Sequence, residues 1–266
     1  MTRVAPLRYG VIFKKAFSQP HIFMAFVKDI IGIEIEIDKV ETEKSFSPTI
    51  GGVDSRFDLF AEDKKNRIIV DIQHKRYYEH YDRFLHYHCT ALIEQIKTSA
   101  NYQPPMRVYT IVVLTSGDKH KTDVLVTDFR PKKADGTYVN ETEHKIFYIC
   151  PKYVNDKTPE PYKEWLRAIE DSLDKEIDKS DYQRKIIHEI INSIKEDKIT
   201  PKERTKMVNE YADERYVRDK NKKAKEKGRK EREIEIVKNL LKANMDIKFI
   251  SDTTGLSVEE IEGIKG

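Results

Sequence analysis

Residues 107–117, RVYTIVVLTSG, begin with an almost continuous apolar run. A strand that is apolar at nearly every position has to be covered on both faces. The run therefore predicts a central strand of a layered α/β sheet, with helices packed above and below it.

The segments before this run supply a hairpin. RFDLFAED (56–63) alternates, KKN is a polar turn, and RIIVDIQHK (67–75) reads as the returning strand. Both strands are interrupted by acids. Asp58 stands between Phe57 and Leu59, and Asp71 between Val70 and Ile72. In a twisted sheet the two carboxylates can converge at one end. Two carboxylates held close repel, and one takes up a proton unless a cation relieves them. Mg²⁺ suits such a pair, because it uses one or two protein carboxylates and keeps several waters. Gln73 follows Asp71 on the same strand face, where it can orient a water or contact a phosphate, and Lys75 is next along that face.

Other segments frame the hairpin. Residues 9–31 carry Phe13, Phe17, Phe23, Phe26, Val27, Ile30 and Ile31 at helical spacing, and Pro20 divides them into two short helices. EIEIDKVETEK (34–44) alternates like an edge strand. Residues 77–98 read as a helix packed through Tyr81, Leu85, His88, Leu92 and Ile96, with Arg83 and Tyr87 on the opposite face. DVLVTDFR (123–130) and KIFYICPKY (145–153) are further strands. Amphipathic helices follow from about residue 159 and carry the single Trp165.

Charged residues make up 36% of the 266, yet the net charge is only +3, so local charge matters more than the total. Between Arg218 and Glu233 nine Lys or Arg face four acids, a local net of +5. Within it, Lys222, Lys223, Lys225, Lys227, Arg229 and Lys230 are candidate phosphate contacts, and Gly228 weakens the helix locally. Capping residues mark two helix starts, Thr200 with Glu203 and Ser257 with Glu260. Residues 247–264 around TTGLS resemble a small helix-turn-helix unit. Cys89 and Cys150 have no pairing pattern, and His86 and His88 are wrongly spaced for zinc on a helix. No apolar stretch reaches membrane-spanning length, and a cytoplasmic protein is expected.

The residues quoted so far resemble those of the PD-(D/E)XK nuclease superfamily. The match is carried by RFDLFAED, by IIVDIQHK with its Asp71-Ile72-Gln73, and by HYDRFLHYHCTALIEQI. The nearer similarity is to the PD-(D/E)XK nuclease family transposases, or Rpn-type recombination-promoting nucleases. Phe57 stands where the superfamily name has proline, and Gln73 stands where it has lysine.

The resemblance implies a restriction-endonuclease-like α/β core, a central mixed sheet flanked by helices, and divalent-metal-dependent DNA cleavage. Carried over, Asp58 and Asp71 are metal ligands for Mg²⁺ or Mn²⁺, Gln73 takes the lysine's place with Lys75 close by, and Arg83 and Tyr87 border the site. The expected division is a nuclease-like core to residue 155, helices packed on it over 156–199, and a basic helical extension over 200–266. DNA is the expected partner, and cutting both strands with one site per chain calls for a homodimer. The other reading is a degenerate nuclease fold that binds DNA or a partner without cutting. The absence of lysine at 73 keeps that reading open.

Overall fold

The computed structural model describes residues 1–46, 54–74, 80–96 and 103–265. The chain divides into two compact units, Met1–Met207 and Val208–Gly266.

In chain order the first unit contains β1 (Thr2–Arg3), α1 (Gly10–Phe17), α2 (Pro20–Ile31), β2 (Glu41–Phe46), β3 (Ser55–Glu62) and β4 (Asn66–Gln73). These are followed by α3 (His80–Ile93), β5 (Arg107–Leu114), β6 (Val124–Asp128) and β7 (Lys145–Ile149). α4 (Tyr162–Ser172), β8 (Glu176–Ile177), α5 (Lys185–Ser193) and the start of α6 (Pro201–Lys242) complete it. Six strands form one mixed sheet in the order β2-β3-β4-β5-β7-β6. The β2–β3, β3–β4 and β6–β7 pairs are antiparallel, while β4–β5 and β5–β7 are parallel. β1 and β8 form a separate two-stranded ribbon.

The apolar run 107–114 is central, as its composition requires. Tyr109, Ile111 and Val113 enter the large core shared with α1, α2, α4 and α5, whereas Val112 and Leu114 pack beneath Phe84 of α3. The sheet is thus the middle of three layers. Pro20 begins α2 and separates it from α1. Trp165 anchors α4 through its ring against Phe17 and Phe26, and its indole N–H donates to Asp29 at 2.7 Å.

Two sequence expectations are corrected. Residues 34–40 are not strand, because β2 begins at Glu41 opposite Phe60 and β3 ends at Glu62. Continued, that register would set Lys39 opposite Glu62, so residues 34–38 run past the end of β3. α3 buries Phe84, His88 and Ala91, and Tyr81 and Leu92 pack on the same clusters as their spacing indicates, but Leu85 is 40% exposed and Ile96 lies beyond the end of the helix. His88 is a buried core residue, with Nδ1 2.9 Å from Thr110 Oγ1 and its ring stacked on Phe129, while its Nε2 has no hydrogen-bond partner among the described residues.

The second unit has its own small core of Val237 from α6, Ile250 from α7 (Ile247–Thr254) and Ile261 from α8 (Val258–Lys265). α6 runs unbroken through Gly228. Its start is capped as the sequence indicates, with the Thr200 N–H donating to Glu203 and the Glu203 N–H to Thr200 Oγ1. The Ser257–Glu260 pair forms the same reciprocal cap. Gly255 ends α7 at φ 75°, a left-handed conformation that glycine adopts without strain. No helix among the described residues is long and apolar enough to cross a membrane.

Candidate active site

β3 and β4 pair from Glu62↔Arg67 to Leu59↔Val70. Continued by one step, the register sets Asp58 opposite Asp71, and there side chains replace the main-chain ladder. The Asp58 N–H donates to Asp71 Oδ1 at 2.9 Å, and the Ile72 N–H donates to Asp58 Oδ2 at 3.1 Å. The β2–β3 ladder is interrupted at the same level. It pairs Thr42 with Leu59 and Lys44 with Phe57 but skips the intervening position, where Glu43 adopts φ 58°. A left-handed Glu costs about 1–3 kcal/mol. Strict alternation is also lost, since Phe57 and Phe60, three residues apart, belong to one cluster facing α3. The sheet therefore opens around Asp58, and the two carboxylates sit at the opening.

Asp71 is 5% exposed, and its Oδ2 has no hydrogen-bond partner among the described residues. Burial, and then the charge of Asp58, push this carboxyl up to about 8. The Asp58 N–H, Arg83 and Lys14 pull the other way without overcoming them. Lys14 reaches in from α1, its Nζ 2.8 Å from Glu43 Oε1 and 3.3 Å from Asp58 Oδ1. Arg56 is also paired with Glu43. No sequence pattern pointed to Lys14 or Glu43. Lys14 lies 44 residues before Asp58, and only the packing of α1 on the sheet brings the two together.

Gln73 ends β4 and is buried, its carbonyl accepting from the Thr115 N–H at 3.1 Å. Next to it His74 lies between Arg8 and Thr115 Oγ1. Burial, then the Arg8 charge, push His74 down to about 4, so it is neutral. Lys75 lies outside the described residues. Arg83 is exposed on α3, its guanidinium 5.4 Å from the Phe84 ring centre and 5.2 Å from that of Tyr87. Tyr87 is not on a free face. It is half-buried, edge-on to Phe57 at 5.7 Å and to Phe84 at 5.9 Å. It thus ties α3 to the strand that carries Asp58.

The paired carboxylates, with one buried oxygen left open, fit a hard divalent cation that completes its shell with water. No group of three or more His, Cys, Asp or Glu suited to a metal occurs among the described residues. The basic candidates lie in the second unit, where Lys222, Lys223, Lys225, Lys227, Arg229 and Lys230 of α6 are all exposed. Lys227 pairs with Glu231 and Arg229 with Glu233, one turn on.

A six-stranded mixed sheet between helical layers, whose central hairpin opens onto two carboxylates, defines an α/β nuclease core of the restriction-endonuclease type. The family model of the PD-(D/E)XK nuclease family transposases matches residues 9–227, and the chain belongs to that family. No curated protein and no solved structure matches it. Membership makes its function nuclease- or transposition-related, with DNA as the substrate, in a family whose nucleases generally use divalent metals.

Proposed function

We propose that the protein is a divalent-metal-dependent DNA endonuclease whose site is the Asp58–Asp71 pair. The observation that carries this reading is the open, buried Oδ2 of Asp71 beside a second carboxylate. Burying two acids together is unfavourable, and a bound cation offsets that cost. Asp58 and Asp71 would hold Mg²⁺ or Mn²⁺, which when bound polarises a phosphoryl oxygen and lowers the pKa of a water.

The chain's own groups then have distinct tasks. Gln73 has an amide that can orient the attacking water or hold a phosphate oxygen. Arg83, whose charge reaches Asp71, binds the scissile or an adjacent phosphate. Water oxygen bonds to phosphorus in line as the bond to the 3′ oxygen breaks. That oxygen takes a proton, leaving a 3′-hydroxyl and a 5′-phosphate. The basic stretch of α6 contacts duplex phosphates without reading sequence. α8 is a poor candidate for that contact, because its exposed positions include Glu259, Glu260 and Glu262. Cutting both strands would use two copies of the chain. The setting would be recombination, transposition or defence against foreign DNA.

A plasmid-nicking assay with Mg²⁺ or Mn²⁺ tests the reading. Wild type converts supercoiled to nicked or linear DNA. Asp71→Ala lowers the rate by more than about 100-fold, since even residues that only support metal ligands are worth about 10–100-fold. Wild type that cuts no form of DNA with either ion would leave a DNA- or partner-binding module, the role suggested by glutamine in place of lysine at 73.

A further inference from the structure

We propose that Lys14 is the ammonium that contacts the substrate phosphate at the carboxylate pair, and that Glu43 positions it. The inference rests on the nuclease reading of the same site.

The first support is placement. α1 is fixed on the sheet by the buried Ile12, Phe13, Ala16 and Phe17, with Phe13 stacked on Phe17 at 4.3 Å. Lys14 lies within that packed turn, and its side chain is only 18% exposed. Its Nζ is consequently held at the opening of the sheet, 3.3 Å from Asp58 Oδ1. A phosphodiester approaching Asp58 and Asp71 brings negative charge to a place that already holds two acids. β4 contributes Gln73 there, which is neutral, and Arg83 approaches from α3, across the sheet from α1. On the α1 side Lys14 is the cation in contact with Asp58; Arg56, on the other oxygen of Glu43, is exposed. Its ammonium is a compact charge with three donors. Glu43 and Asp58 occupy two directions and leave a third.

Glu43 is the second and independent support. Its backbone is left-handed, and the β2–β3 ladder skips its position. Ordinary ladder pairing at this position would not carry that strain. Partly exposed ion pairs stabilise weakly, so the Lys14–Glu43 contact does not offset such a conformation. What the distortion does achieve is to set the Glu43 carboxylate between the exposed Arg56 and the largely buried Lys14, with Oε1 2.8 Å from Lys14 Nζ. Strain retained at a side chain that orients a cation fits a functional constraint.

In the reaction no bond forms or breaks at Nζ. Lys14 holds a non-bridging oxygen of the phosphate while charge builds on it, which favours the transition state over the ground state. Glu43 touches no substrate atom and acts on the reaction through Lys14, the cation it shares with Asp58.

The experiment uses the full chain and a short DNA duplex, first in EDTA so that nothing is cut. Lys14→Met weakens binding and lowers the slope of log affinity against log salt by about one, the signature of one lost phosphate contact. Lys14→Arg keeps the slope. With Mg²⁺, Lys14→Met cuts at least about 100-fold more slowly, with an unchanged melting temperature. Glu43→Gln keeps the slope and lowers kcat with little change in KM.

A folded Lys14→Met protein with the wild-type slope overturns the assignment of Lys14, whether or not wild type cuts DNA. If Lys14→Met fails to fold, Lys14→Gln is read in the same way. A lowered slope in a protein that never cuts supports the phosphate contact and defeats only the nuclease reading. Unchanged kcat in Glu43→Gln overturns the role of Glu43.

Discussion

Asp58 and Asp71 each accept a main-chain N–H from the other's strand, Asp71 from Asp58 itself and Asp58 from Ile72. The exchange holds the two carboxylates together where the ladder stops, and it sets how the site responds to pH. The Asp71 carboxyl titrates at about 8 in the folded chain, against about 3.9 when unfolded. Between these values the folded state binds the extra proton, so its stability falls as pH rises through that window. Asp71→Asn, which keeps an acceptor for the Asp58 N–H, removes this dependence. Its melting temperature gains on wild type between pH 5 and 8. Parallel melting curves across that range would show that Asp71 ionises freely.

The same proton predicts a calorimetric result. A divalent ion at this pair has to displace it, so Mn²⁺ binding at pH 7 releases close to one proton and at pH 9 almost none. Titrations in two buffers of different ionisation enthalpy measure that number. Equal heats in both buffers at pH 7 would mean that Asp71 is already ionised.

Much of this was legible in the sequence because the signals are local. The apolar run at 107–114, the hairpin and the two capping pairs each depend on residues close in sequence, and the structure contains them all, although the alternation along β3 breaks at Asp58. Asp58 and Asp71 stood out as acids within apolar strands, and the register sets them opposite each other. Within α3 the expected stripe fails at Leu85, because Phe84, one residue earlier, also stands one helical turn before His88. Phe84 won over Leu85 because the aromatic clusters of the sheet lie on its side. Lys14 and Glu43 could not be found by spacing. One is a lysine in an apolar helix, the other one acid among several in a charged segment, and only the three-dimensional fold brings them to Asp58.

Phe57, the residue standing where the family name has proline, predicts a stability effect. It is fully buried, with its ring 5.4 Å from Phe46 and 5.7 Å from Tyr87. Phe57→Ala should cost about 3–5 kcal/mol, read from urea unfolding. Because the lost contact includes Tyr87, the variant should also loosen α3 and slow amide-exchange protection of its first turns should disappear. A loss below about 1 kcal/mol would mean that the hairpin and α3 are not coupled through this ring.

His88 predicts acid sensitivity. Burial, and then its neighbour His144, push it down to about 3, and His74 is similarly depressed to about 4. Unfolded histidines titrate near 6.5, so the unfolded state binds the extra protons below that pH, and stability is lost as pH falls from about 6.5. His88→Phe retains a ring to stack on Phe129 but leaves the buried Thr110 hydroxyl without this partner. It should cost about 1–3 kcal/mol at pH 7.5 and flatten the acid limb of the stability curve. An acid limb as steep as that of wild type would assign the sensitivity to other groups.

The basic stretch of α6 makes a graded prediction, because its cations are not equivalent. Lys222, Lys223, Lys225 and Lys230 form no ion pair among the described residues, whereas Lys227 and Arg229 each face a glutamate one turn on. Each phosphate neutralised contributes about 0.9 to the slope of log affinity against log salt. Changing the four unpaired lysines to Gln should therefore lower the slope by up to about 3.6. Changing Lys227 and Arg229 should lower it by less than two contacts' worth, since their charges are partly offset by Glu231 and Glu233. Fluorescence anisotropy on a labelled duplex across a salt series measures both. A wild-type slope in the four-lysine variant would remove α6 from DNA contact altogether.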